Sequence, residues 1–227
     1  MSSKKIRIQV EGNRGSGKSL FAKMLQKVLT EEYEIDSEVY HLPVFELAKD
    51  DLLKNAIECP LAYYFQLETK TVMSLFKQRR VQTKPVSIYD GSLWSTRNVF
   101  RSLYSDDRKI ISLDEFQTLD LLHEALSKEK PHLSNPTVII YLEVPPKLCH
   151  ERIWKRTEED LCDKEEDRAL SLARLMKIEE QYEKAFETCN AKKILRLDGT
   201  LEPLTLARAA ANVLTSPAVK QFQLFYK

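Results

Sequence analysis

The chain is 227 residues long, with 35 Lys and Arg against 34 Asp and Glu and a formal net charge of +1, which excludes a histone-like or arm-type nucleic-acid binder. It is 43% hydrophobic and 30% charged, and no apolar run approaches the roughly 18 residues that cross a bilayer, so a membrane partner is excluded as well. No secretory pattern opens the chain, and Cys59, Cys149, Cys162 and Cys189 stand far apart without a Cys-x-x-Cys pair, so a cytoplasmic location, reduced thiols and a single domain over residues 1–227 are expected.

Residues 6–10 read as a β-strand. Gly12-Asn13-Arg14-Gly15-Ser16-Gly17-Lys18-Ser19 follows, fitting G-x-x-x-x-G-K-[ST], and residues 20–29 then recur at helical spacing. Three of the five glycines of the chain lie in this stretch. Backbone without side chains lets N–H groups turn inward around phosphates, and the helix that follows offers its positive end to the same charge. Lys18 adds a full positive charge, and Ser19 offers a hydroxyl to a Mg²⁺ ion bridging the phosphates. Gly12, Asn13, Arg14, Gly15, Ser16, Gly17, Lys18 and Ser19 are the expected nucleotide-binding residues, with ATP or GTP and Mg²⁺ as the implied ligand.

Further strands are expected at 37–42, 86–90, 137–144 and 193–197, separated by helix-like stretches. This alternation predicts an α/β fold with a parallel sheet covered by helices on both faces and ligands at the carboxyl ends of the strands. No repeat, low-complexity tract or linker divides it. Asp90 ends the third strand at the rim occupied by the phosphate loop. It is either a metal-holding or proton-handling carboxylate, or a cap for the next helix with Gly91 making the turn. Pro145-Pro146 closes the fourth strand and opens a helix. On that helix Arg152, Lys155 and Arg156 share one face. They form either a cationic lid over the nucleotide or ion pairs with Glu158, Glu159 and Asp160 on a solvated surface. The acid-dense stretch 158–167 reads as a solvated loop.

Several segments carry a resemblance over nearly the whole chain: Glu11-Gly12-Asn13 running to Gly17-Lys18-Ser19, Phe65-Gln66, Asp90 through Phe100, the stretch from Cys149 to Glu159, and Ile178 to Glu183. In these the chain resembles the deoxynucleoside kinases, the family of thymidine, deoxycytidine and deoxyguanosine kinases. The resemblance implies a P-loop nucleoside/nucleotide kinase-like three-layer fold, with a five-stranded parallel sheet and a helical lid near residues 150–168. It implies ATP-dependent phosphorylation of a deoxynucleoside 5′-hydroxyl by a homodimer joined through helices. Lys18, Asp90 and Arg156 take the catalytic positions, Ser19 and Asp90 those of the metal, and Arg152 and Arg156 those of the lid on the nucleotide. Phe65, Gln66, Met73, Thr96, Arg97, Phe100 and Glu159 take the substrate positions, Gln66 reading the base edge and Phe100 stacking on it.

The chain departs from the family pattern at telling places. Leu42 stands where the family has the Glu that accepts the proton, and Gly91 where it has an Arg. The sugar-contacting Tyr falls near Ile57, and the lid is shortened. Met73 and Thr96 replace an Arg and an Asp of the deoxycytidine type, which leans toward a thymidine-accepting pocket. Asp90, His41 or Glu46 would have to substitute as base. Strand alternation sends His41 to the face opposite Leu42, which favours Asp90. Two other readings stay open: a nucleotide-binding member that does not phosphorylate and serves assembly or regulation, and a nucleoside monophosphate kinase using Lys70, Lys77, Arg79 and Arg80 for the extra phosphate.

Overall fold

A computed structural model describes residues 5–41, 52, 55–56, 59–78, 84–100, 110–129, 136–159, 171–189 and 194–216, excluding the side chains of 60, 75, 76, 78 and 156–159. In chain order the elements are β1 (Ile6–Gly12), α1 (Lys18–Glu31), β2 (Ser37–Tyr40), α2 (Pro60–Gln78), β3 (Val86–Asp90) and α3 (Leu93–Ser95), which a π-helical turn (Thr96–Phe100) continues. There follow α4 (Leu113–Glu129), β4 (Val138–Glu143), α5 (Pro146–Glu159), α6 (Leu172–Glu187), β5 (Ile194–Asp198) and α7 (Pro203–Thr215). The five strands form one all-parallel sheet in the order β2-β3-β1-β4-β5. This is the expected P-loop kinase-like α/β arrangement.

Side-chain alternation along β1 sorts the two layers of helices. Ile8 and Val10 join Ile88 and Ile140 on one face, where Phe21, Leu25 and Leu29 of α1 and Leu206, Ala207 and Ala210 of α7 cover them. Alanines on α7 let that helix approach closely, and each fully buried Leu or Phe on α1 contributes about 1.5–3 kcal/mol. The opposite face carries Ile139 and Tyr141, covered by Trp94, Val99, Ile153 and the α6 residues Leu175, Ile178, Tyr182 and Phe186. Helices α2 and α4 pack on each other through Tyr64 with Leu119 and Val72 with Leu126.

Register brings the functional ends together. Val10 pairs with Asp90, Gly12 with Leu142, and Glu143 with Asp198, so four strands finish along one rim. The boundaries differ from the sequence reading in instructive ways. β1 continues to Gly12 because Glu11 and Gly12 pair with Tyr141 and Leu142. β2 ends at Tyr40, opposite Tyr89, and Leu42 lies outside the described residues. β4 is one residue shorter at each end than expected, and β5 runs one residue further, to Asp198. Pro146 opens α5 as anticipated. Among the described residues no helix is long and apolar enough to cross a membrane.

Candidate active site

The turn between β1 and α1 requires glycine for two separate reasons. Gly12, Gly15 and Gly17 adopt φ of 147°, 79° and 92°, which side chains disfavour. A Cβ on Gly12 would lie 2.8 Å from the Leu142 carbonyl oxygen and 2.9 Å from Ser16 Oγ, and one on Gly15 would lie 2.5 Å from the Cys149 carbonyl oxygen. The strand end and α5 therefore close around the loop only because it is bare. Gly17 differs, since a Cβ there meets nothing within 4 Å. It is the N-cap of α1, and no side chain caps the helix there, so the positive end of a 14-residue helix opens toward the loop.

The polar groups of the loop suit an anion. Ser16 Oγ is buried and has no hydrogen-bond partner. The Lys18 ammonium donates to the carbonyl oxygens of Gly12 at 2.9 Å and Asn13 at 2.8 Å. Enclosure pulls the Lys18 pKa below its ordinary range, against the attraction of Asp90 and Glu11 and with repulsion from Arg14. An inward-turned glycine cradle, an unused hydroxyl and an ammonium resting on main-chain oxygens fit a polyphosphate.

Asp90 meets this loop from β3. Ser19 Oγ donates to Asp90 Oδ2 at 2.5 Å, and His41 Nδ1 lies 3.2 Å from the same oxygen. The two expected metal residues thus converge, and their hard oxygens suit Mg²⁺. Among the described residues no group of three or more His, Cys, Asp or Glu gathers to hold a metal. A cation here would take its remaining ligands from phosphate and water. The capping alternative for Asp90 is overturned, because Ser92 is the cap of α3 and accepts from Ser95 N at 3.1 Å. Gly91 does make the turn, at φ 77°, with its N–H donating to the Val10 carbonyl. β2 ends at Tyr40, so strand alternation does not reach His41, and its imidazole comes to Asp90.

The remaining expected residues are distributed around this centre. Arg152 reaches from α5 to the carbonyl oxygens of Ser16 at 3.5 Å and Gly199 at 3.3 Å, placing its charge beside the loop. The backbone of Arg156 and Glu159 belongs to the last turn of α5, but their side chains lie outside the described set, as do residues 160–168 of the expected lid. Lys155 is exposed. Thr96 is buried and donates to the Ser92 carbonyl at 2.9 Å. Phe100 meets Tyr182 edge-on at 6.3 Å. Arg97 pairs with Asp120 of α4 at 3.0 Å. On α2, Phe65 packs with the Tyr64, Ile111 and Leu119 cluster, whereas Gln66 and Met73 are exposed. Glu46, Ile57, Arg79, Arg80 and Asp160 lie outside the described residues.

Glu11 was visible in the sequence only as part of a resembling segment, yet it is fully buried at the root of the loop. Ser92 Oγ donates to it at 2.5 Å and Tyr182 OH at 3.0 Å, while burial raises its pKa against those bonds and the charge of Lys18. The available signal was alternation, with Arg7, Gln9 and Glu11 forming the polar face of a buried strand. The Cys149 carbonyl against Gly15 and the Gly199 carbonyl under Arg152 had no such signal.

Comparison with known proteins agrees with this geometry. Residues 8–222 match the family model described as deoxynucleoside kinase. The chain is 26% identical over 200 residues to a mitochondrial deoxyguanosine kinase of Xenopus laevis, covering 78% of this chain and 71% of the relative. It is 24% identical over 228 aligned positions to the deoxycytidine kinase of Rattus norvegicus, covering 86% and 84%. It is also 30% identical over 206 residues to a thymidylate kinase of Leptospira borgpetersenii serovar Hardjo-bovis, covering 88% of each. The chain belongs to the deoxynucleoside kinase family.

Proposed function

We propose that this family member transfers the γ-phosphoryl group of ATP to the 5′-hydroxyl of a deoxynucleoside, with a pyrimidine of thymidine type as acceptor. The observation that carries the reading is the meeting of Ser19 and Asp90 at 2.5 Å beside a glycine cradle with an unpaired Ser16 hydroxyl. In this reading residues 12–19 hold the triphosphate, and Lys18 and Arg152 balance its charge. Ser19 and Asp90 would hold Mg²⁺, which would supply positive charge against the charge developing in transfer. Thr96 and Phe100 border the base, with Gln66, Met73, Phe65, Arg97 and Glu159 completing the pocket and Arg156 closing over the transferred group. We place the working enzyme in the cytoplasm as one kinase-type domain.

Chemistry survives the Leu42 and Gly91 replacements in weakened form. Phosphoryl transfer proceeds through a loose transition state in most analyses, where positioning and charge outweigh early proton removal. Absence of a general base costs about 10²–10⁴-fold. Asp90, with the His41 imidazole 3.2 Å from its Oδ2, is the candidate to take the hydroxyl proton.

The thymidylate kinase likeness supports a second reading, in which the acceptor is a nucleoside monophosphate. That acceptor needs additional cations. Lys70 and Lys77 of α2 are the candidates of this reading that lie among the described residues. Labelled ATP and Mg²⁺ offered with each deoxynucleoside and each monophosphate, beside a Lys18→Ala control, decides between them. Transfer to a nucleoside that vanishes in the control supports the first reading, and transfer only to monophosphates supports the second. Nucleotide binding without transfer leaves the non-phosphorylating reading.

The dimer is proposed through α2 and α4, where Leu61, Leu113 and Leu121 remain exposed. Light scattering should give twice the chain mass, falling to one chain mass in Leu121→Glu. A monomeric wild type refutes this part.

A further inference from the structure

Glu11 is the last side chain on the polar face of β1 before the phosphate loop, and no step of the proposed transfer uses it. Its carboxylate is held by hydroxyls from two distant elements, Ser92 Oγ on Oε1 at 2.5 Å and Tyr182 OH on Oε2 at 3.0 Å. Ser92 stands two residues beyond Asp90 and caps α3, whose π-helical continuation carries Thr96 and Phe100. Tyr182 stands on α6, edge-on to Phe100 and 5.2 Å from the Tyr141 ring. Farther up α6, the Leu175 carbonyl accepts from Asn13 Nδ2 of the phosphate loop at 2.8 Å. The carboxylate thus joins the root of the loop to the Asp90 turn and to the helix behind Phe100, beside the separate Asn13–Leu175 bond. A carboxylate in such a place is costly to bury, and an apolar side chain of similar volume would serve packing alone at less cost.

We propose that Glu11 is a positioning residue: through Ser92 and Tyr182 it fixes the acceptor pocket against the phosphate loop, so that a nucleotide in the loop orders residues 92–100 and α6. The inference rests on the kinase reading for its consequence in turnover, but its mechanical part needs only that a nucleotide binds. Displacement of reacting groups by about 1 Å costs on the order of 10²-fold in rate. Loss of the tie therefore lowers kcat by roughly ten- to a hundred-fold while the KM for ATP changes by less than about threefold.

The test compares wild type with Glu11→Gln and Tyr182→Phe, the latter losing one hydroxyl and keeping its ring. Amide hydrogen exchange is followed with and without Mg-ADP. In wild type, Mg-ADP should slow exchange at 12–19 and also at 92–100 and 178–186. In both variants the protection at 12–19 should persist and the protection at the other two segments should fade. The double variant should lose no more kcat than the worse single one, since both act through one link. Equal transmitted protection in the variants overturns the proposal, as does melting of both variants far below wild type, which would make Glu11 a structural group. A wild type that shows the transmitted protection and phosphorylates no acceptor refutes the kinase reading and leaves the inference standing. A wild type unprotected at 12–19 refutes both.

Discussion

Replacing Gly15 by Ala and, separately, Gly17 by Ala separates backbone strain from crowding within one loop. Both residues have left-handed φ, 79° and 92°, so each alanine incurs about 1–2 kcal/mol of conformational strain. Only the Gly15 methyl collides, lying 2.5 Å from the Cys149 carbonyl oxygen and 2.9 Å from Ile153 Cγ1. A carbonyl in a helix cannot swing away as a flexible side chain would, so the loop and α5 must separate, an overpacking cost of about 1–3 kcal/mol. For a chain of this length each kcal/mol is worth about 2–4 °C. Gly15→Ala should therefore melt about 2–12 °C below Gly17→Ala in scanning calorimetry. Gly17→Ala places its methyl in open space, so its larger effect should be on Mg-ADP affinity. A Gly15→Ala protein that melts with or above Gly17→Ala would refute the packing of the loop on α5.

Three further outcomes are expected. Leu42→Glu, which restores the carboxylate of the family pattern, should raise turnover with a deoxynucleoside, and unchanged turnover would contradict the alignment at that position. Burial pushes the Cys149 thiol up to about 11, so near pH 8 only about one molecule in 10³ carries the thiolate. A thiol reagent should then label exposed Cys59 in the folded protein and Cys149 only on unfolding, and equal labelling rates would contradict the burial. The pKa of Glu11 is raised by burial, so its contribution to stability is present below the ordinary glutamate range and is lost as pH rises through the raised value. The Tm of Glu11→Gln relative to wild type should climb as pH increases above about 5, and a pH-independent difference would contradict an unusually basic carboxyl there.

The phosphate loop was legible because its requirement is local. Glycine at 12, 15 and 17 answers to backbone angles and close approaches that short-range sequence encodes. Asp90 was legible as a strand-end residue, but choosing between capping and the metal position needed the parallel register that sets it beside Val10, and the hydroxyl of Ser92 that does the capping. His41 was misjudged because alternation governs a residue only while its strand lasts, and β2 stops at Tyr40. Arg97 pairs with Asp120 on α4 across a distance in sequence that no local pattern reports. Phe65 likewise joins the α2 and α4 cluster, a fact of helix packing and not of composition. Glu11 shows the same limit, since both of its partners come from far along the chain.

The proposed transfer requires first that a triphosphate settle against residues 12–19. Calorimetric titration of wild type and Lys18→Ala with Mg-ATP measures this without reference to any acceptor. Saturable one-to-one binding by wild type that weakens by at least about tenfold in Lys18→Ala is the predicted result. Wild type that takes up no heat at millimolar Mg-ATP, or a variant that binds as tightly, would contradict it.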